Sequence, residues 1–237
     1  MTRHQRFTHT AAAALAALLL LATGAEAGPK PKEWNPPIDA SHFVTVVDNQ
    51  YFPLVPGQTL VYRGNTRNGV ETMEFEVTSR TKRILNITTT VVIERHRENG
   101  QVVEISENWF AQDQDGTVWY FGEASQTFEN GSPVSTEGSW EAGVSGARPG
   151  IIMLANPQNG DSYFQEFAEG VAEDMAQVMS TSGSMSTPAG SYSRVLRTKE
   201  WTPIESGSNE FKHYAPGVGL IVEEKGSERL ELVEIRN

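Results

Sequence analysis

Asn68-Gly69, Asn99-Gly100 and Asp115-Gly116 all fall between positions 68 and 116. Each dipeptide tolerates the positive φ angles of a type I′ turn, whose twist matches that of paired antiparallel strands. β-Branched and aromatic residues flank all three, so each reads as the tip of a hairpin. Residues 60–63 face 72–77 across the first turn, and 84–93 lead towards the second, with 102–105 returning. The third turn is flanked by 109–111 and 118–121. Further stretches of strand composition at 192–201, 210–214, 219–224 and 229–235 extend the series. Consecutive hairpins of this kind make an all-β antiparallel meander.

Two stretches are less direct. Residues 130–150 are rich in glycine and read as part of a long loop around 130–160. In 164–179, Val171, Met175 and Met179 keep helical spacing, while Ala172, Asp174, Ala176 and Val178 alternate as in a strand. The strand reading is preferred, because the Ser/Gly/Pro-rich 180–190 then becomes a hairpin loop.

The chain is 38% hydrophobic and 21% charged, which suits a globular protein. Its 30 acidic and 19 basic residues give a formal charge of −11. That balance argues against nucleic acid or an anionic membrane face as partner. Arg3, His4 and Arg6 precede a run at 11–22 made only of Ala and Leu, followed by Ala25-Glu26-Ala27. This pattern describes a secretory signal peptide over residues 1–27, and the apolar run is too short to span a bilayer. Residues 28–40 begin with GPKPKEWNPP and read as a Pro-rich extended tether. Residues 41–237 then form a single β domain, exported to the periplasm or the medium. The chain has no cysteine, so an exported core of this size must hold without disulfides.

The segment NWFAQDQDGTVWYFGE at 108–123 resembles an uncharacterised family of exported bacterial all-β proteins. TPAGSY at 187–192 and YAPGVGL at 214–220 are similar to a C-terminal pair common in bacterial envelope lipoproteins. The resemblance covers about residues 51–225 and implies a strongly curved antiparallel sheet. Half-barrels that carry lipoproteins across the periplasm are the comparable architecture, so the expected fold is a half-barrel or open barrel. The lipid-accepting cysteine of those lipoproteins is absent here.

No catalytic signature emerges. Gly-x-Ser-x-Gly, Walker and dinucleotide motifs are missing, and no spacing of His and acids offers a zinc set. Aligning Gly116 with the invariant glycine of a calcium loop puts Ala111 and Gly122 at positions that need carboxylates, so no metal is expected there. No cofactor is expected either. Glu94, His96 and Glu98 alternate on one strand face, with Arg95 and Arg97 opposite, as at a solvated hairpin tip. The aromatics are the stronger lead. A two-residue turn at Asp115-Gly116 would set Gln112 opposite Trp119, grouping Trp119 and Phe121 with Phe110, and Tyr120 with Trp109. Large aromatics on both faces need a cover on both sides. Trp109, Trp119, Tyr120, Phe121 and His213 are therefore the candidate ligand-binding residues. The expected function is non-catalytic binding of an apolar or amphipathic ligand, such as a lipid-like molecule, on the concave face. The alternatives are a hydrolase using the acids from Glu166 to Asp174, or a structural or adhesive surface protein that meets an envelope protein.

Overall fold

The structure is a computed structural model, and it describes residues 34–205, 207 and 209–237. The expected signal peptide and the first part of the tether lie outside the described residues. The chain is all-β, as the turn spacing indicates.

The N-terminal segment contributes β1 (Phe43–Val44) and a small hairpin of β2 (Asp48–Asn49) and β3 (Phe52–Pro53). Then β4 (Thr59–Thr66), β5 (Gly69–Ile84), β6 (Ile87–Glu98), β7 (Gln101–Asp113) and β8 (Val118–Glu129) pair in sequence order. The stretch expected as a long loop instead carries β9 (Ser132–Ser135), β10 (Trp140–Glu141) and β11 (Arg148–Met153), all of which pair with β8. Its glycines serve the bends between these short strands. Next come β12 (Ser162–Phe164), β13 (Glu166–Phe167), β14 (Met175–Thr187), β15 (Gly190–Trp201), β16 (Glu210–Ala215), β17 (Gly219–Lys225) and β18 (Glu228–Arg236). The expected strand over 164–179 is realised only in part, because β14 begins at Met175. The expected loop at 180–190 is mostly strand, since β15 supplies partners along it as far as the turn at Pro188 and Ala189.

The last strand, β18, pairs back onto β4, so the meander curls on itself. Among the described residues, the sheet path runs from β12 through β14–β18 and β4–β8 to β11 and β13. Its two ends, β12 and β13, are separated only by Gln165. The result is a barrel closed except for one seam. Trp34 straps that seam: its ring packs on Phe164 with centroids 5.6 Å apart, and its indole N–H donates to the Pro149 carbonyl at 2.8 Å. Arg148 donates in return to the Trp34 carbonyl.

Alternation divides each strand between lumen and outer wall. The outer wall is charged: Arg95 meets Glu76 and Arg97 meets Glu74, at 2.7 and 2.8 Å. A barrel that crossed a membrane on its strands would carry an apolar belt there. One end of the lumen, beside the β5–β6, β7–β8 and β16–β17 turns, is plugged by the β2–β3 hairpin. Its Phe52 meets Phe110 and Phe75 edge-on, at 5.1 and 6.1 Å between centroids, and Val47, Tyr51 and Leu54 are buried with it.

Candidate functional site

The aromatic hairpin is core. Phe110 stacks on Tyr120 at 4.7 Å inside the barrel, and Trp140 closes on Tyr120 from the other side at 5.4 Å. On the outer face, Phe121 and Trp119 pack against Phe43 of the N-terminal segment. Trp109 lies under the Lys82 ammonium, 3.3 Å from its ring centroid. Trp109, Tyr120 and Phe121 are buried; Trp119 is half-buried and donates to Asp113 at 2.8 Å. His213 is elsewhere, on the opposite face of β16 from Tyr214, bonded to Glu224 at 3.2 Å. The proposed ligand residues are thus not brought together in one surface.

The register differs by one residue from the expected one. Gln112 pairs with Val118 and Ala111 with Trp119. The cause is Asp113, whose Oδ1 accepts the amide N–H groups of Asp115 and Thr117 at 3.0 and 2.9 Å, widening the loop. A one-residue slip exchanges faces, which is why Phe110 joins Tyr120 rather than Trp119.

The end of the lumen opposite the plug is different in kind. Glu94 and His96, expected on a solvated tip, point into the barrel and are buried, His96 to 4% exposure. The neighbouring inward positions on β7 are Glu104, Ser106 and Asn108, and those on β8 are Glu123 and Ser125, paired across as Ser106 with Ser125 and Asn108 with Glu123. Glu166 comes from β13, Glu200 from β15, Lys212 from β16 and Glu223 from β17. These charges act on one another across the barrel. Lys212 favours the ionised forms of Glu166 and Asp174, and His96 that of Glu223. Their burial, the inward alternation of their strands and the contacts of Lys212 with acids of β15, β16 and β17 place them in one shared interior.

Two cations serve this acid band. The Lys212 ammonium lies 3.0, 3.6 and 4.0 Å from carboxylate oxygens of Glu200, Glu210 and Glu223. Burial alone would lower its pKa, but these carboxylates outweigh that and raise it well above the ordinary lysine value. His96 stands 3.4 Å from Glu71 and 3.6 Å from Glu94. There too burial is overcome by the carboxylates, and His96 is held up at about 10, so it is a cation at neutral pH. Three further hydrogen bonds tie the band together: Ser125 donates to Glu104, Thr198 to Glu200, and Tyr120 to Asn108, while one atom each of His96, Trp140, Glu166 and Glu210 is buried without a hydrogen-bond partner among the described residues.

Glu123 stands apart. It is 1% exposed, and neither carboxylate oxygen has a hydrogen-bond partner among the described residues. The Tyr120 hydroxyl lies against Glu123 and feels its charge, but its single proton goes to Asn108, so it can accept from Glu123 and not donate to it. Burial, followed by the charges of Glu166, Glu104 and Glu94, pushes its pKa well above the usual carboxylate range. Burial likewise raises Glu166, with Asp174 reinforcing the shift and Lys212 and the Trp140 indole opposing it. Among the described residues, no three His, Asp or Glu side chains converge closely enough to hold a metal ion.

No family model matches the chain, and no curated protein matches it. Among solved structures, it is similar to a candidate lipoprotein from Parabacteroides distasonis. The two are 13% identical with a TM-score of 0.42, over 80% of this chain and 100% of that one.

Proposed function

We propose that this is an exported, non-catalytic binding protein that takes a small ligand into the polar end of its barrel. The observation that carries the reading is Glu123, buried without a donor in a band of inward polar side chains. A buried polar group without a partner costs about 1–3 kcal/mol, more for a charged one. Folds retain such groups chiefly where function uses them. Glu94, Glu210 and Glu223 keep between 11% and 13% of their side chains exposed at this end, so the band touches solvent where a ligand would enter.

Export rests on the pattern at 1–27, with the periplasm or the medium as destination. Phe43, Phe110 and Trp140 pack against Trp119, Tyr120 and Phe121, and the reading therefore centres on the polar end of the lumen. An amphipathic ligand would sit with its polar group in the acid band. The hydrolase alternative has one observation in its favour: Glu166 and Asp174 lie in the same interior as Glu123, and all three carboxyls are held above their ordinary range.

Native mass spectrometry on freshly exported protein tests the reading, followed by thermal-shift measurements with fatty acids, phospholipids and small amines. A retained mass, or a rise in melting temperature with one class and no turnover in a hydrolase screen, is the expected result. Absence of both a retained mass and any shift would overturn it, and turnover lost in Glu166→Gln would favour the hydrolase.

A further inference from the structure

The interior contains its own example of what it accepts. On one side, Glu200, Glu210 and Glu223 converge on the ammonium of Lys212. Across the lumen, Glu123 shares the buried inward face of the β6–β7–β8 ladder with Glu94 and Glu104, and the charge of Glu166 from β13 also acts on it. That second cluster has His96 at its edge, engaged with Glu71 and Glu94, and no group of this chain donates to Glu123 among the described residues. The cluster is therefore more than a concentration of acids. It includes an unpartnered carboxylate almost fully removed from water and facing the others.

We propose that the Glu123 end of the barrel interior binds the primary ammonium group of a small organic amine, with Glu123 as the receiving carboxylate. Glu94, Glu104 and Glu166 supply the surrounding field. The assignment deepens the interior-binding reading and rests on it. An ammonium group offers three donors, matching a carboxylate with free lone pairs on both oxygens. A primary amine also suits the site better than a metal ion, since no three ligating side chains meet at a point among the described residues. The Trp140 indole, paired across from Glu123 and beside Glu166, would stand against the ligand's methylene chain.

Proton and amine compete for the same carboxylate. The groups facing Glu123 are Glu94 and His96 from β6, Glu104 and Asn108 from β7, Tyr120 of its own strand, Trp140 of β10, Glu166 of β13 and Asp174. Burial and the neighbouring acids keep Glu123 protonated in the ligand-free protein, so seating an ammonium ion there releases a proton to solvent. Affinity should then rise about tenfold per pH unit while Glu123 remains protonated.

Isothermal titration of the exported protein with 1,5-diaminopentane tests this, with 1,5-pentanediol and glutarate as the neutral and anionic compounds of equal length. The expected result is binding of the diamine alone, with a change in tryptophan fluorescence. Heats in buffers of different ionisation enthalpy should show release of about one proton. Glu123→Gln, isosteric and neutral, should weaken binding at least tenfold with an unchanged circular dichroism spectrum. If that variant fails to fold, proton release by the parent decides the matter. Diamine binding without proton release, or equally tight binding to Glu123→Gln, would overturn the assignment, as would equal binding of the diol. If none of the three binds but native mass spectrometry shows a retained molecule, the ammonium assignment falls and interior binding stands. If nothing is retained and nothing binds, both fall.

Discussion

Raising the pH should weaken this fold steadily, because its interior holds protons that the unfolded chain gives up. Two groups set the magnitude. Burial, only partly opposed by Thr202 and Lys212, raises Asp174 from 3.8 to about 6. Between those values the unfolded chain ionises while the folded one does not, so stability is lost as the pH rises through that window. One pKa unit is worth about 1.4 kcal/mol, which makes the Asp174 share about 3 kcal/mol. His96 has its folded value raised from 6.5 to about 10, the carboxylates outweighing burial. Its contribution is fully present below 6.5 and is lost as the pH climbs through 10, a share of about 5 kcal/mol. Glu123, Glu166 and Glu223 act in the same direction as Asp174. Glu74, drawn down by its hydrogen bond to Arg97, adds stability lost only as the pH falls below 4.5, outside this range. Urea midpoints at fixed ionic strength should therefore fall from about pH 4.5 to 6 and again from about 6.5 to 10. His96→Gln should be the less stable protein at the acid end and show a visibly shallower fall at the alkaline end. A parent midpoint that rises between pH 5 and 7, or a His96→Gln slope above pH 7 equal to the parent's, would refute the argument.

Three further outcomes are expected. Trp34→Ala removes both the ring on Phe164 and the donor to Pro149, and should cost about 2 kcal/mol; hydrogen exchange should quicken first at residues 163–167, and unchanged exchange there would show that Trp34 does not hold the seam. Gly122→Ala would set a Cβ 2.2 Å from the Trp140 carbonyl oxygen at a φ of +122°; β10 must move, a loss of about 3 kcal/mol or more by chemical denaturation, and a variant as stable as the parent would contradict the β8–β10 register. The exported protein should begin at Gly28, and an intact mass that retains residues 1–27 would remove the case for export.

Local turn chemistry was the most legible part of the fold, and its exceptions have identifiable causes. Asn99 and Gly100, at φ 49° and 81°, form the expected two-residue turn between Glu98 and Gln101. Asn130-Gly131 carries the same signal and makes the same turn, at φ 52° and 76°, which is how a glycine-rich stretch comes to begin with a strand. Asp115-Gly116 misleads because Asp113, two residues earlier, offers its carboxylate to the loop amides and outcompetes the tighter turn. Residues 180–187 mislead in the other direction. Serine and glycine disfavour strands on average, but a partner strand satisfies backbone N–H and C=O groups whatever the side chains are.

The site was illegible for a reason that is not local. Alternation of Glu94, His96 and Glu98 against Arg95 and Arg97 is plain in the sequence, and the structure keeps that alternation. Which of the two faces meets water is decided elsewhere, by β18 returning to β4 and turning one face of every strand into a lumen. The pairing pattern then distinguishes the faces. Arg95 and Arg97 find Glu76 and Glu74 on the adjacent strand, a matched arrangement that needs nothing further. Glu94 finds Ser106 across the ladder, and beyond it Ser125; His96 finds Glu104; Asn108 finds Glu123. Acids accumulate on that face without equal numbers of cations, as they would do harmlessly in water but not at 1% exposure. Closure of the barrel thus converts an ordinary acidic strand face into a strained one. Burial and the neighbouring acids push the Glu123 carboxyl well above the usual carboxylate range, so a cation seated there would compete with a proton for it.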